Sequence, residues 1–256
     1  MPQVTPQTHP INPGRPGMRD ARPILLLTRP RPQAERFARF CAEAIQPAPK
    51  TVISPILTIR PRKEDVDLTL FSAVILTSEN AVNALADVAQ VGGVTAFCVG
   101  DRTAQAARDC GMLAISAKGD ADELVALVQQ ESFSGPVLHV HGAETAGNVA
   151  DRLRAVGLSV HNKIIYDQVP TALKPEAMTL SWGDAPLVLP LFSPRSATLV
   201  AAGLTTARAP LILVALSAAV AKAWTGPKPA QIQIADRPDA RHMRDIIAAH
   251  FPPGSA

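Results

Sequence analysis

Cysteine is scarce in this chain of 256 residues, which contains only Cys41, Cys98 and Cys110. The number is odd and no two cysteines are spaced as CxxC, so neither a disulfide framework nor a cysteine zinc site is indicated. Cys98 falls inside an expected strand and Cys110 at an expected helix end, and neither has the pattern of basic neighbours that activates a thiolate. We therefore expect a reducing, cytoplasmic location.

Aromatic residues make up 4% of the chain, charged residues 18%, and the net charge is +3. Nucleic-acid binding usually shows a basic stripe with interleaved aromatics, so this composition argues against it, whereas a mild positive balance suits a small polyanion. No apolar run approaches the length of about 18 residues that a membrane-spanning helix needs. The N-terminus also lacks the charged and apolar blocks of a signal peptide. We expect no membrane and no nucleic-acid partner.

The phosphate-binding and nucleophile motifs of common enzymes are missing too. There is no GxGxxG after the first expected strand, no GxxxxGK[ST] and no GxSxG, which weakens nucleotide-dependent and hydrolase interpretations. His139 and His141 share one face of a strand, but no third ligand has suitable spacing, so a polar or structural role is favoured over a metal site. We expect no metal site.

Hydrophobic residues make up 47% of the chain, which is ample for a buried core. Residues 1–22 are rich in proline and predict a disordered tail, in which Met18 is a candidate natural start. From residue 24 onward, short apolar strands alternate with amphipathic helices, a pattern typical of parallel α/β sheets with right-handed crossovers. The strands expected first are ILLLT, AVILT, TAFCVG, LAIS and PVLHVHG, and later PLVLPLF, LILVALS and IQIA.

The α/β pattern occurs twice, with an offset of about 115 residues. ILLLTRP resembles PVLHVHG, AVILTSENAVNAL resembles LVLPLFSPRSATLV, and AFCVGDRTAQAARDCG resembles LILVALSAAVAKAWTG. The repeat predicts a fold of two similar α/β domains with parallel sheets, joined by a two-stranded connector. The expected boundaries are 23–50 with 171–256 for domain 1, 61–157 for domain 2, and 51–60 with 158–170 for the connectors.

The segment KIIYDQVP contains Tyr166, the only tyrosine of the chain. It lies in the second connector, which predicts a place at the mouth of an interdomain cleft, where ligands usually bind. Other polar side chains follow the strands, where helix N-termini favour anions. Capping of the helix is the simpler explanation for each of them. Binding gains weight only if several of these strand ends face one cleft.

In the order of its pieces, the chain resembles the uroporphyrinogen-III synthase family. The resemblance rests on LLLTRP, ILTSENAV, CVGDRTAQAARDCG, HGAETAGNVADRLRAVGLSVHNKIIYDQVP and LFSPRSA, and it covers the chain from about residue 24 to its end. It implies two α/β domains, no cofactor, and a lyase that closes hydroxymethylbilane, an octacarboxylate, with inversion of ring D. It would place substrate-binding residues at Arg29, Thr77, Ser78, Asn80, Arg102, Thr103, Ser193 and Ser196. The strand ends add His141, Gly142 and Ser217.

The family's tyrosine falls on Tyr166, whose phenol would assist departure of the substrate hydroxyl. A tyrosine that merely packs at the connector remains the alternative. Two features depart from the family pattern: His141 stands where arginine is common, and VALSAAV lacks a glycine and a threonine. A non-catalytic cleft binder, a regulatory homologue and a nucleotide-dependent transferase remain as rival functions. We expect a monomer with at most a transient contact to the upstream deaminase.

Overall fold

The computed structural model describes residues 22–144 and 148–251. The expected tail, which includes Met18, lies outside the described residues except for Arg22. The strands are β1 Ile24–Leu27, β2 Thr51–Ile53, β3 Leu57–Pro61, β4 Ala73–Leu76, β5 Thr95–Cys98, β6 Leu113–Ser116, β7 Val137–Gly142, β8 Val160–Pro170, β9 Leu187–Leu191, β10 Leu211–Ala215 and β11 Gln231–Ile234. The helices are α1 Arg31–Ala44, α2 Glu79–Ala86, α3 Asp101–Asp109, α4 Ala121–Gln129, α5 Val149–Ala155, α6 Pro175–Ser181, α7 Pro194–Gly203, α8 Ala218–Lys222 and α9 Ala240–Ala248.

The described residues form two compact units. Unit 1 contains the residues up to Ile56 and those from Thr171 onward, and unit 2 runs from Leu57 to Pro170. The chain therefore changes unit twice. The first change falls inside the expected connector 51–60, where β2 belongs to one sheet and β3 to the other. The second falls at the end of the expected connector 158–170.

Unit 1 contains a five-stranded sheet in the order β11-β10-β9-β1-β2, and all its pairings are parallel. The central strands are apolar along their whole length because helices cover both faces of a parallel sheet. All four residues of β1 and all five of β9 are buried. On one face, α1 and α9 pack with Phe37 and Met243 against the strands.

Unit 2 contains a six-stranded sheet in the order β3-β8-β7-β4-β5-β6. Its pairings are parallel except for the edge strand β3, which runs antiparallel to β8. One face of the sheet packs on α2 and α3, with Val74, Leu138 and Ile165 in the core. The opposite face packs on α4 and α5, with Ile75 and Leu153 in the core.

The two sheets repeat the same topology. The order β8-β7-β4-β5-β6 in unit 2 matches β2-β1-β9-β10-β11 in unit 1, strand for strand. This correspondence pairs β7 with β1, β4 with β9 and β5 with β10, as the internal sequence repeat predicts. The predicted fold class, two similar α/β units built around parallel sheets, is confirmed.

Several details differ from the sequence-based expectation. Helix α6 and a 3-10 turn at Leu68–Leu70 were not expected, because both are shorter than the window over which helical periodicity becomes visible. The helix expected from Glu144 begins only at Val149, after Asn148 in the left-handed region with φ of 42°. The short strand expected around Tyr166 is one part of an 11-residue strand, β8.

Candidate functional site

In unit 2, the order in which the chain adds strands to the sheet reverses between β4 and β7. From β4 the chain adds β5 and β6 on one side, and it then returns to add β7 and β8 on the other. In such sheets the loops beyond the carboxyl ends of the two strands diverge and leave a crevice that binds ligands. A pocket of about 540 Å³ lies there, lined by Thr77, Ser78, Val99, Gly119, Asp120, Ala121, His141, Gly142, Glu144, Val149, Tyr166 and Gln168.

Ser78 begins helix α2 at the carboxyl end of β4. Its backbone is extended and its hydroxyl accepts a hydrogen bond from the amide of Ala81 at 3.1 Å, so it is the N-cap of the helix. The same hydroxyl lies 3.1 Å from the phenol oxygen of Tyr166, and either oxygen can donate. This hydrogen bond links the end of β4 to β8 across the intervening strand.

Tyr166 is 3% exposed and belongs to the core of unit 2. Its ring lies against Gly142: a Cβ added at Gly142 would come within 2.5 Å of Cε2 and Cζ of the tyrosine. Glycine is therefore required for the ring to occupy this place. Tyr166 is one of the residues that line the pocket, and its phenol oxygen is held beside the hydroxyl of Ser78.

The β7–β8 ladder is irregular at this point. His141 pairs with Ile164, but the register shifts by one residue so that Gly142 pairs with Tyr166. The amide of Ala143 then donates to the carbonyl oxygen of Tyr166 at 2.9 Å. Ile165 and Tyr166 are consecutive, yet both are buried in the same core cluster, which a regular strand with alternating faces does not allow.

His141 and His139 lie side by side on β7, with ring centroids 4.6 Å apart. Nδ1 of His141 donates to the carbonyl oxygen of Gly142 at 2.7 Å, since a carbonyl only accepts. Nδ1 of His139 likewise donates to the side-chain oxygen of Asn162 at 3.2 Å, while its Nε2 is buried without a partner. Burial, helped by His141, lowers the pKa of His139 to about 4. His139 is therefore neutral at physiological pH.

The far side of the pocket is the start of α4. Asp120 caps this helix, accepting from the amide of Asp122 at 2.6 Å, and Glu123 accepts from the amide of Asp120 in a capping box. Hydrogen bonds from the Asp122 amide, then from Glu123, lower the pKa of Asp120. None of the twelve described lining residues is lysine or arginine. The described lining therefore offers hydroxyls, the His141 imidazole, the carboxyl groups of Asp120 and Glu144, and helix N-termini rather than lysine or arginine side chains.

Five of the expected site residues come together in this pocket: Thr77, Ser78, His141, Gly142 and Tyr166. Three others in unit 2 lie outside its lining. Asn80 is in the first turn of α2, and α3 carries Arg102, which is exposed, and Thr103, which is buried.

The remaining expected site residues lie in unit 1, at the ends of the equivalent strands. Arg29 follows β1, and its guanidinium lies 4.1 Å from the ring centroid of Phe192, at the end of β9. Ser193 caps α7 and donates to the hydroxyl of Ser196 at 2.8 Å. Ser217 caps α8, accepting from the amide of Val220 at 3.4 Å.

Sequence reasoning missed Gln168 and Asp120 as pocket residues. Gln168 is two residues after Tyr166 on β8, so strand alternation places both on one face and was a usable signal. The segment DADE carries the capping-box pattern that marks the start of α4. The position of that start beside β7 could not be read from sequence, because it depends on the order of strands in the sheet.

The described residues contain no group of three or more His, Cys, Asp or Glu placed to hold a metal ion. Burial raises the pKa of the Cys98 thiol to about 12, so this thiol is not an activated nucleophile. Within the same residues, no helix is both long and apolar enough to cross a membrane.

The sequence matches a family model described as "Uroporphyrinogen-III synthase HemD" over residues 49–245. This match covers well over half of the chain. The chain belongs to the uroporphyrinogen-III synthase family. No curated protein matches it closely enough in sequence to count as a relative.

Solved structures of uroporphyrinogen-III synthases resemble the chain in fold. The enzyme from Helicobacter pylori has a TM-score of 0.58 at 14% identity, with 89% of this chain and 99% of that one covered. A mutant synthase from the extremely thermophilic bacterium Thermus thermophilus has a TM-score of 0.45 at 15% identity, with coverage of 90% and 98%. The likeness to the Helicobacter pylori enzyme supports the fold.

Family membership gives the chain its activity. It is a uroporphyrinogen-III synthase-type lyase of tetrapyrrole biosynthesis, and its substrate is a small molecule. The rival interpretation, a non-catalytic cleft binder, is not favoured by the match. The predicted family, reaction class and pathway are confirmed.

Proposed function

We propose that the unit 2 pocket is where hydroxymethylbilane loses its hydroxyl and that Tyr166 assists this departure. The observation that carries the proposal is the position of Tyr166 on β8: it lines the pocket at the switch point of the sheet, and its phenol oxygen is 3.1 Å from the capping hydroxyl of Ser78. A phenol on a buried ring beside a pocket can donate a proton or a hydrogen bond to a ligand.

We propose that Ser78 is the donor in its hydrogen bond with Tyr166, which leaves the phenol proton available to a ligand. The oxygen of Ser78 already accepts from the Ala81 amide, and its single hydrogen is then free to be donated to the phenol oxygen. With this arrangement the hydrogen of Tyr166 points away from Ser78. The leaving hydroxyl of the substrate is the acceptor that we propose for it, and the hydroxyl departs as water.

The later steps need no further catalytic group from the protein in this scheme, because the pyrrole rings supply the electrons. Loss of the hydroxyl gives an azafulvene on ring A, and ring D attacks it through its substituted carbon to form a spiro intermediate. Fragmentation and recombination at the other carbon give the inverted ring D. In this scheme the protein folds the linear chain and holds its carboxylates, without a cofactor.

For the carboxylates we propose the hydroxyls and amides at helix N-termini. In unit 2 these are Thr77 and Ser78, and in unit 1 they are Ser193, Ser196 and Ser217. Amide groups at helix starts bind anions without needing an arginine for each. Arg29 is proposed as an additional carboxylate ligand, held in place by the face of Phe192. Asn80, Arg102, Thr103, His141 and Gly142 complete the proposed set.

A coupled assay tests the proposal. The upstream deaminase generates hydroxymethylbilane in place, and chromatography after oxidation separates porphyrin isomers I and III. We expect isomer III above the spontaneous isomer I background. For Tyr166→Phe we expect kcat to fall by about a hundredfold, because the ring is kept and only the donor is lost.

The control is the urea unfolding curve of Tyr166→Phe, which should show a folded protein. Unchanged turnover in that folded variant would remove Tyr166 from the chemistry and leave it as a packing residue. Isomer I alone from the folded parent chain would instead support a regulatory homologue that binds without turnover.

We also propose a cytoplasmic monomer that meets the upstream deaminase only transiently. The duplication supports the monomer, since a single chain already contains both copies of the α/β unit. Light scattering during size exclusion, with and without the deaminase, measures both parts of the proposal. A stable dimer or a stable complex would contradict it.

A further inference from the structure

The side chain of His141 on β7 donates a hydrogen bond to the backbone of the next residue. Its imidazole is buried, with 7% of the residue exposed, and Nδ1–H donates to the carbonyl oxygen of the next residue, Gly142, at 2.7 Å. In the neutral ring this leaves Nε2 as the unprotonated nitrogen. The bond spans the peptide group between His141 and Gly142, which is where the β7–β8 register shifts by one residue.

Gly142 needs such a restraint. Glycine has the widest backbone freedom of all residues, so sterics alone do not fix its peptide group, and the bond from the Ala143 amide to the Tyr166 carbonyl restrains that group from its N–H side as His141 does from its carbonyl side. Yet the ring of Tyr166 rests directly on its Cα, where a Cβ would lie 2.9 Å from the phenol oxygen. Rotation of the peptide group between Gly142 and Ala143 would break its hydrogen bond to the Tyr166 carbonyl oxygen and so disturb the strand that carries the ring.

Strand alternation places His141 and Tyr166 on opposite faces of the sheet, although both residues line the pocket at its edge. His139 and His141 lie two and four residues after Val137, on the face packed against α4 and α5, whereas Tyr166 packs with Leu138 and Val140 on the other face. The hydrogen bond to Gly142 is the contact through which we argue that His141 acts on the phenol. We infer that His141 is a positioning residue: its Nδ1–H bond to Gly142 holds the register shift on which the Tyr166 ring rests and so keeps the phenol oxygen beside Ser78.

Two conservative substitutions separate the two nitrogens of the imidazole. The amide nitrogen of asparagine takes the place of Nδ1, whereas that of glutamine takes the place of Nε2. A positioning role through Nδ1–H is therefore retained by His141→Asn and lost in His141→Gln. His141 also lines the pocket, and a direct contact of the substrate with Nε2 would predict the opposite order.

Tyr166 is the only tyrosine of the chain, so its position can be measured without any assay of activity. Protein labelled with 3-fluorotyrosine gives one fluorine NMR resonance, that of residue 166. We expect His141→Asn to keep the parent chemical shift and His141→Gln to shift or broaden the line. The control is His161→Gln, which removes an exposed histidine from the neighbouring strand β8, and which should leave the resonance unchanged.

The catalytic consequence rests on the proposed role of Tyr166. In the coupled assay we expect kcat of His141→Gln to fall by about tenfold to a hundredfold, and to fall further than kcat of His141→Asn. If the resonance moves in His141→Gln but kcat does not, the positioning stands and the proposed role of the phenol fails. The two proposals thus fail separately.

A resonance that stays at the parent position in folded His141→Gln, or one that moves equally in both variants, would overturn the inference. If His141→Gln does not fold, nitrogen NMR of the parent chain with labelled histidine decides, and the signal missing from His141→Asn gives the assignment. A neutral His141 protonated on Nδ1 supports the inference, and one protonated on Nε2 overturns it.

Discussion

His139 shows how the fold fixes the charge of a single residue. Its ring is 3% exposed, its Nε2 has no partner, and its Nδ1 already donates to Asn162. Protonation would place a charge in this buried position next to the ring of His141, and burial together with His141 lowers the pKa of His139 to about 4. The neutral ring is therefore a condition of stability, independent of any role in the reaction.

The sign of the pH effect follows from linkage. An unfolded histidine has a pKa near 6.5, so between about pH 4 and pH 6.5 the unfolded chain binds more protons than the folded chain. The contribution of His139 to stability is complete above pH 6.5 and is lost as the pH falls towards 4. We expect the loss of this contribution to lower the free energy of unfolding by about 2–3 kcal/mol at pH 4.5 relative to pH 7.

Urea unfolding of His139→Met at both pH values measures this loss. The variant cannot titrate at this position, so the difference between its stabilities at pH 7 and pH 4.5 should be smaller by that amount. The control is His161→Met, since His161 is exposed. A variant that loses as much stability on acidification as the parent chain would show that His139 is not the group responsible.

At the scale of elements, the contact of β7 with β8 determines the geometry of the site. The two strands pair regularly from Val137 to His141, and the one-residue shift then brings Gly142 opposite Tyr166. Register shifts of this kind re-aim side chains beside active sites. The ring of Tyr166 on β8 covers Gly142 on β7 and fills the space that a side chain at Gly142 would occupy. Aromatic residues paired with glycine in this way also stabilise designed sheets.

The close contact makes Gly142 intolerant of a side chain. A Cβ would lie 2.5 Å from two ring carbons of Tyr166, and the ring is confined by the core. We expect Gly142→Ala to lower the free energy of unfolding by about 1–3 kcal/mol, measured by urea denaturation, and to shift the fluorine resonance of labelled Tyr166.

Gly92→Ala is the matched control, because a Cβ at Gly92 would meet nothing within 4 Å. Its free energy of unfolding should stay within about 0.5 kcal/mol of the parent chain. Equal effects of the two alanines would mean that loss of glycine flexibility, and not the clash with Tyr166, is what the experiment measures.

At the scale of the whole molecule, the chain contains one α/β topology twice, and unit 2 is the copy that is continuous in sequence. It begins at Leu57 and ends at Pro170, and these two residues are paired on the antiparallel strands β3 and β8. Its two core clusters lie on the two faces of its own sheet. Adjacent ends and a separate core are the marks of a domain that folds alone.

We therefore expect a fragment of residues 57–170 to unfold in a single cooperative urea transition. The 3-fluorotyrosine resonance of this fragment should match that of the full chain, because every described contact of the Tyr166 ring lies within unit 2. A fragment without a cooperative transition would show that unit 2 depends on the rest of the chain.

The sequence by itself determined the features that depend on neighbouring residues. Strand and helix alternation gave the fold class, Ser193 before Pro194 marked the start of α7, and Gly111 and Gly157 after their helices have φ of 86° and 90°, as helix-ending glycines should. The internal repeat predicted the repeated topology. These signals are local or periodic, so one sequence suffices to read them.

Tertiary structure alone decided how distant strand ends meet. Ser78 and Tyr166 are separated by 88 positions, and their hydrogen bond exists because β7 lies between β4 and β8. The register shift at Gly142, the burial of His139 and the approach of Asp120 to the pocket likewise depend on which strands pair and in what register. Pairing is set by the packing of the whole core, and residues far apart in sequence carry no local mark of it.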